Sequence, residues 1–94
     1  MLYGPPEDAA AFEDHFANWH LPLAAKIPFV QRFEAGRVLG SPDGDEAPYY
    51  RVAEFWFQSE ETLHHALRTN EGRAAVADLP RFATGGFTIM VAEA

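Results

Sequence analysis

Apolar residues recur along this chain with two different spacings, which mark out the predicted secondary structure. After Asp8, a predicted helix N-cap, they follow at intervals of three and four residues, the spacing of a helix. The alternation typical of strands then appears over residues 29–39 and 49–57. The stripe that the first helix is predicted to bury consists of Phe12, Phe16, Trp19, Leu23 and Ile27.

Pro22 determines where this first helix is predicted to end. Proline lacks an N–H and its ring crowds the carbonyl group of Asn18, so we expect the helix to end or kink near residues 18–20. A short turn is then expected to continue to Lys26.

The second half of the chain predicts one more helical region and a final strand. Ser59 is a predicted N-cap, and Asn70 and Gly72 are expected to break the helix that it starts. A further turn or two is predicted over residues 73–79, ended by Pro80, and the last strand over residues 87–92. The buried side of the second helix is predicted to contain Leu63, Ala66 and Leu67.

These elements, with a short strand at residues 1–4, follow the order βαββαβ. That order predicts an α+β, ferredoxin-like domain over residues 1–94, in which a four-stranded antiparallel sheet carries its helices on one face. The third strand is apolar on both faces, so the face without helices is expected to pack against a second copy in a homodimer. The two alternating sets are Tyr49, Ala53, Phe55 and Phe57, and Tyr50, Val52 and Trp56.

The charge of the chain limits the partners that we expect. Seven basic and fourteen acidic residues give a formal net charge of −7, which disfavours nucleic acid and anionic membrane surfaces. The chain has no cysteine, which excludes disulfides and thiolate chemistry. No apolar run is long enough for a transmembrane helix, and we expect a soluble, cytoplasmic protein.

Metal and cofactor signatures are missing from the sequence. His64 and His65 point about 100° apart on a helix, whereas metal pairs favour positions i and i+4. Asp43 and Asp45 lie in a segment too short for an EF-hand loop, and no phosphate-binding glycine loop is found. We therefore expect no metal and no cofactor, whether flavin or nicotinamide.

His20 is the residue whose chemistry attracts most interest. It lies two residues before Pro22, at the border of the apolar stripe, and histidine ordinarily titrates near neutrality. Such a residue is suited to proton transfer beside an aromatic wall. The competing interpretation is a half-buried histidine whose ring nitrogens are satisfied by the backbone.

Three segments together resemble the EthD family, named for ethyl tert-butyl ether degradation. Residues 18–23, Asn-Trp-His-Leu-Pro-Leu, are similar to its His-x-Pro-Leu signature, and residues 48–59 and 77–84 are similar to its third strand and its Asp-containing segment. The resemblance implies a dimeric α/β barrel. It implies little about activity, since relatives on this fold include monooxygenases, lactone isomerases and decarboxylases.

The resemblance also singles out residues. His20 matches the signature histidine, which implies a role as general acid/base or as a hydrogen-bond anchor for a substrate oxygen. Asp78 matches the family aspartate, which is expected to orient His20, to hold a polar substrate group or to cap a turn. Independently of the resemblance, Glu54 is a charge within an apolar strand, and it is either a buried base or a glutamate that lies at an edge or pairs with Arg37 or Arg51. Family members carry more residues before the Tyr-Gly turn, so we expect a longer natural N-terminus. Aromatic residues expected to bind substrate, or only to pack, are Trp19, Phe33, Tyr50, Trp56 and Phe82.

Three functions remain open from the sequence. The first is a cofactor-independent enzyme that acts on a hydrophobic aromatic or lactone-like metabolite by proton transfer through His20. The second is a non-catalytic protein that binds a small molecule or serves an accessory role. The third is a haem-handling monooxygenase built on the same barrel.

Overall fold

Four antiparallel strands form a sheet in the order β2-β3-β1-β4, and helices cover one of its faces. The structure is a computed structural model that describes residues 1–94. This confirms the α+β, ferredoxin-like fold, with β1 in the interior of the sheet. The elements are β1 (Leu2–Tyr3), α1 (Ala9–His15), a π-helical turn (Phe16–His20), α2 (Leu21–Ala24), β2 (Arg32–Arg37), β3 (Arg51–Trp56), α3 (Glu60–Arg68), α4 (Asn70–Phe82) and β4 (Phe87–Thr88).

The sequence predicted that the first helix would end or kink near residues 18–20, and the structure has a widened turn there but no helix end. It starts at the expected cap, where Asp8 accepts a hydrogen bond from the N–H of Ala11, and it runs without a break through α1, the π-helical turn and α2. In the wide turn, the N–H of Leu21 donates to the carbonyl oxygen of Phe16, five residues earlier. Pro22 follows directly, so the helix absorbs the missing N–H in a widened turn instead of ending there.

This wide turn changes which residues face the sheet. A π-helical turn holds about one residue more than an α-helical turn, so every later side chain is rotated by about 100° from its expected direction. Trp19, predicted to lie in the core, is 65 % exposed, and His20 is buried in its place. The stripe that is actually buried consists of Phe12, Phe16, His20, Ala24 and Ile27.

The third and fourth helices meet at Thr69. Ser59 caps α3 as predicted, and the hydroxyl of Thr69 accepts a hydrogen bond from the N–H of Gly72 to cap α4. Gly72 is therefore no helix breaker. It lies inside α4, where a side-chain Cβ would collide with the carbonyl oxygen of Ala66 on α3.

Helix α4 is longer than predicted at both ends. It starts at Asn70 and continues through Pro80 to Phe82, whereas the sequence predicted helix only over residues 73–79. Pro80 is exposed in the last turn, where one missing backbone hydrogen bond is tolerated because the carbonyl group it leaves free can be solvated. The extension orders the buried residues Asp78, Leu79 and Phe82 on one helix.

The last strand is shorter than predicted. Leu2 pairs with Thr88 and Tyr3 with Phe87, and the ladder stops there, so residues 89–94 have no regular secondary structure. β2 and β3 also cover less than their predicted ranges, with six residues each.

The core is divided into two groups of side chains. The larger contains the rings of Tyr3, Phe12, Phe16 and Phe82 with Ala53, Leu79 and Ala83, and the smaller joins Ala24 and Ile27 to Ala66 and Ala75. None of the helices combines the length and the apolar character that crossing a membrane requires.

Candidate functional site

His20 closes the π-helical turn and points between the helices and the sheet. Only 4 % of the residue is exposed, and its ring lies 5.9 Å from the ring of Phe16, in a stacked arrangement. The π-helical turn is what brings this imidazole to the buried side, so the local backbone and the position of Pro22 create the site together.

Asp78 of α4 holds His20 in place. Its Oδ2 atom lies 3.0 Å from Nδ1 of His20, and only 3 % of the aspartate is exposed. The expectation that Asp78 orients His20 agrees with this contact. The alternative, that it caps a turn, is wrong, because Asp78 lies inside α4 and its carboxylate faces imidazole rings.

A second histidine binds the same carboxylate. Nε2 of His15 lies 2.9 Å from both oxygens of Asp78, and the His15 side chain is 27 % exposed. The sequence did not indicate this residue as part of a site. His15 and His20 lie five residues apart, a spacing that places two side chains on one side only across a π-helical turn.

Phe82 packs against both imidazoles. Its ring centroid lies 4.9 Å from that of His15, with the two planes nearly parallel, and 4.8 Å from that of His20. Phe82 was predicted either to bind substrate or only to pack, and the structure places its ring against both histidines and outside the lining of the cavity beside His20.

The protonation state of Asp78 determines which nitrogen atoms of the two histidines carry hydrogens. Burial alone would raise the pKa of Asp78, but hydrogen bonds from His15 and His20 outweigh it and keep the pKa below its usual value. An ionised carboxylate only accepts, so Nε2 of His15 and Nδ1 of His20 carry hydrogens. In neutral His20, Nε2 then has a free lone pair.

Burial and hydrogen bonding also compete at His20, but here burial has the larger effect on the pKa. Burial lowers the pKa of His20 below its ordinary value, and this exceeds the raising effect of Asp78. The imidazole is therefore neutral near pH 7, which suits a proton acceptor.

His20 also borders a cavity of about 110 Å³ between the helices and the sheet. Fourteen of its fifteen lining residues are hydrophobic, so His20 is the exception. Nε2 of His20 forms no hydrogen bond, and it is not fully enclosed by protein atoms, so a ligand atom can reach it. The other walls come from the sheet, α2, α3, α4 and the segment after β4, for example Ala53, Phe55, Leu63, Leu79 and Met90.

The remaining predicted substrate residues do not line this cavity. Trp19 is exposed on the helix, and Phe33 lies at the edge strand β2 against Phe55. Trp56 lies on the sheet face without helices, where the guanidinium group of Arg32 covers its ring at 4.7 Å. Glu54 is exposed and forms no ion pair, so neither the buried base nor the pairing with Arg37 or Arg51 is correct.

Tyr50 belongs to a second polar cluster that the sequence did not predict. Its hydroxyl donates to Oε1 of Glu13 at 2.8 Å, and Nη2 of Arg51 donates to both oxygens of Glu13 at 2.7 Å. The Arg51 guanidinium lies over the Phe16 ring, 4.5 Å from its centroid. No group of three or more His, Cys, Asp or Glu side chains is arranged to hold a metal ion.

Known proteins resemble the chain over almost its whole length. The model of the EthD domain matches residues 4–86. An uncharacterized 11.0 kDa protein from the thcB–thcC intergenic region of Rhodococcus erythropolis is 38 % identical over 93 residues, which cover 99 % of this chain and 89 % of that protein.

A solved structure agrees with the fold. The crystal structure of an ethyl tert-butyl ether degradation (EthD) family protein from Bacillus halodurans C-125 superposes with a TM-score of 0.92 at 39 % identity, and the match covers 99 % of this chain and 92 % of that one. The chain therefore belongs to the EthD family, as the three resembling segments predicted.

Proposed function

We propose that this protein is a cofactor-independent enzyme in which His20 transfers a proton to and from a small, apolar ligand in the cavity. One observation carries the proposal: the only polar side chain in an otherwise hydrophobic cavity is a histidine whose far nitrogen is held by a buried carboxylate. A histidine kept in one tautomer by an aspartate is the arrangement that general bases use.

The proposed reaction is an isomerisation. The Nε2 lone pair of His20 takes a proton from a carbon or oxygen atom of the ligand, and the negative charge of Asp78 stabilises the imidazolium that forms. A proton, which the imidazolium can first exchange with solvent, then goes to a different atom of the ligand, and this restores neutral His20. Because no electrons leave the ligand, the step needs neither an oxidant nor a reductant.

The size and polarity of the cavity limit the ligand. An engineered cavity of about 150 Å³ in another protein binds benzene, so about 110 Å³ suits a single ring or a smaller molecule. Hydrophobic walls disfavour a charged ligand, since a buried charge without a partner is costly. A neutral phenol or a small lactone fits both limits, and this size favours such a ligand over haem.

Solvent deuterium exchange tests this proposal even while the product is unidentified. Single-ring phenols and lactones that raise the melting temperature are incubated with the protein in D₂O, and deuterium entering their C–H positions is measured by mass spectrometry. We expect catalysed exchange in the natural chain and a loss of about 100-fold or more in His20→Gln.

The control is His64→Gln, which changes an exposed histidine paired with Glu60 on α3. We expect this variant to retain the exchange rate. Equal exchange in the natural chain and His20→Gln would overturn the role of His20. Thermal stabilisation without any exchange would instead support the non-catalytic binding protein.

We also propose that the protein is a homodimer formed through the sheet face without helices. Leu2, Val52 and Trp56 are only half-buried on this face, which supports the proposal because such apolar side chains gain from a cover. Light scattering of Trp56→Glu, with Trp19→Glu as an exposed control, tests it. We expect the first variant to be a monomer and the second a dimer, and a monomeric natural chain would contradict the proposal.

A further inference from the structure

Two histidines share one carboxylate at the candidate site. Both oxygens of Asp78 lie 2.9 Å from Nε2 of His15, and Oδ2 also lies 3.0 Å from Nδ1 of His20. These are the only side-chain partners of Asp78, so whatever strengthens one of the two hydrogen bonds weakens the other.

The two histidines differ in their access to water. The side chain of His15 is 27 % exposed, whereas those of His20 and Asp78 are 5 % and 4 % exposed. His15 therefore exchanges protons with solvent, while His20 meets the cavity. Asp78 joins the two environments because it touches both rings.

We propose that His15 is a positioning residue for His20: it holds the Asp78 carboxylate and, by gaining or losing a proton at the surface, sets how tightly His20 binds a proton at the cavity. When His15 is protonated, it draws the charge of Asp78 towards itself, and His20 becomes a weaker base. When His15 is neutral, Asp78 supports the His20 imidazolium more fully. The inference rests on the proposed function of His20.

The charges around His20 shift its pKa in the directions that this proposal requires. Burial lowers the pKa of His20, the hydrogen bond and charge of Asp78 raise it, and the charge of His15 lowers it further. His15 thus acts on His20 through the carboxylate and directly as a like charge.

No other ionisable group near the cluster can account for a change in the proton affinity of His20. The buried hydroxyl of Tyr3 on β1 stays neutral because burial raises its pKa, and Arg51 on β3 is paired with Glu13. The amino group of Met1 donates to the carbonyl oxygen of Ala53, and burial lowers its pKa. The cavity walls from α2, α3, α4 and the segment after β4 contribute only apolar side chains.

An NMR titration of the histidine side chains tests the proposal in the full chain, without ligand. Imidazole nitrogen signals are followed between about pH 4 and pH 9 in the natural chain, His15→Gln and His15→Leu. Gln can donate to Asp78 from nearly the same position but does not titrate, whereas Leu neither donates nor titrates.

We expect the His20 midpoint to shift upwards in His15→Gln, because the like charge is gone, and further in His15→Leu, because Asp78 then serves His20 alone. His64→Gln should leave this midpoint unchanged. An unchanged His20 midpoint in both His15 variants would overturn the proposal, since a merely structural role predicts that result.

The natural chain gives a second measurement if the His15 variants fail to fold. Coupling through Asp78 predicts that the His15 and His20 signals each titrate in two steps with shared midpoints. Independent single-step curves would overturn the proposal. Because no ligand is involved, its failure is distinct from the failure of deuterium exchange, which tests the proposed function.

Discussion

Two polar clusters contact the ring of Phe16, and they differ in what surrounds them. One joins His15, Asp78 and His20, and the other joins Glu13, Arg51 and Tyr50. The first borders the hydrophobic cavity, whereas no member of the second lines it.

The two clusters also differ in the type of ionisable side chain that they contain. Arg51 is permanently charged and held on both oxygens of Glu13, so that pair stays fixed over the physiological pH range. The first cluster instead contains two imidazoles, the side-chain type that can gain or lose a proton within the physiological pH range. A polar network becomes a candidate for catalysis when a titrating member meets an open space, and only the first cluster meets both conditions.

The largest effect on stability is expected from Asp78→Asn. The amide is neutral and has a single acceptor oxygen, so it cannot replace the charged carboxylate as the acceptor for both imidazoles. Hydrogen bonds to charged groups are worth about 1.5–3 kcal/mol. We expect the free energy of unfolding in urea to fall by about 2–3 kcal/mol. Asp14→Asn, on the exposed side of the helix, is the control, and an equal loss in both variants would contradict the special role of Asp78.

The pH dependence of stability should separate the two clusters. The folded-state pKa of His20 lies below its ordinary 6.5, so the unfolded chain binds the proton first and stability falls as the pH drops below 6.5. The pKa of Glu13 is also lowered, so its contribution is fully present above its ordinary 4.5, and it decreases as the pH falls from there through the folded-state value.

Urea unfolding at a series of pH values checks this order. Replacement of His20 by Gln should remove the loss of stability that starts near 6.5 and leave the loss that starts near 4.5. An unchanged profile in His20→Gln would show that the buried histidine does not cause the first step.

A smaller effect is expected from Arg51→Met. The Arg51 side chain is 13 % exposed and that of Glu13 is 31 % exposed, so solvent weakens this ion pair, and we expect a loss of about 1 kcal/mol in the free energy of unfolding. The NMR midpoint of His20 should stay the same. A shift of that midpoint would show that the clusters are coupled through the Phe16 ring.

The smallest effect is expected from Trp19→Ala. If Trp19 occupied the core, its truncation would cost about 3–5 kcal/mol, but at 65 % exposure we expect a change within about 0.5 kcal/mol. A large loss in urea unfolding would contradict the register that the π-helical turn imposes and would return Trp19 to the core.

Features that depend on neighbours in sequence were predictable. The caps at Asp8 and Ser59 follow from side chains that bond to backbone atoms three residues on, and both are confirmed. The strand order followed from the succession of elements. His20 was chosen as a site residue from its position before Pro22 and from the family resemblance, whereas Asp78 was chosen from the resemblance alone, and their contact joins positions 58 residues apart.

Other features required the folded chain. His15 meets Asp78 across 63 residues and Arg51 meets Glu13 across 38, and no local pattern encodes such pairs. Trp19 was misplaced because a constant spacing of 3.6 residues per turn was assumed. Pro22 was the available signal for the wide turn, but a proline by itself does not distinguish a widened turn from a helix end.

The π-helical turn has a consequence for the comparison of homologous sequences. A relative whose first helix is α-helical throughout needs one residue fewer between Phe16 and His20 to present the same inward side chains. A correct alignment with such a relative places a one-residue gap inside a helix, where gaps are usually penalised. An ungapped alignment would instead pair Trp19 with the relative's histidine. The buried histidine would then look unconserved, although both chains have it.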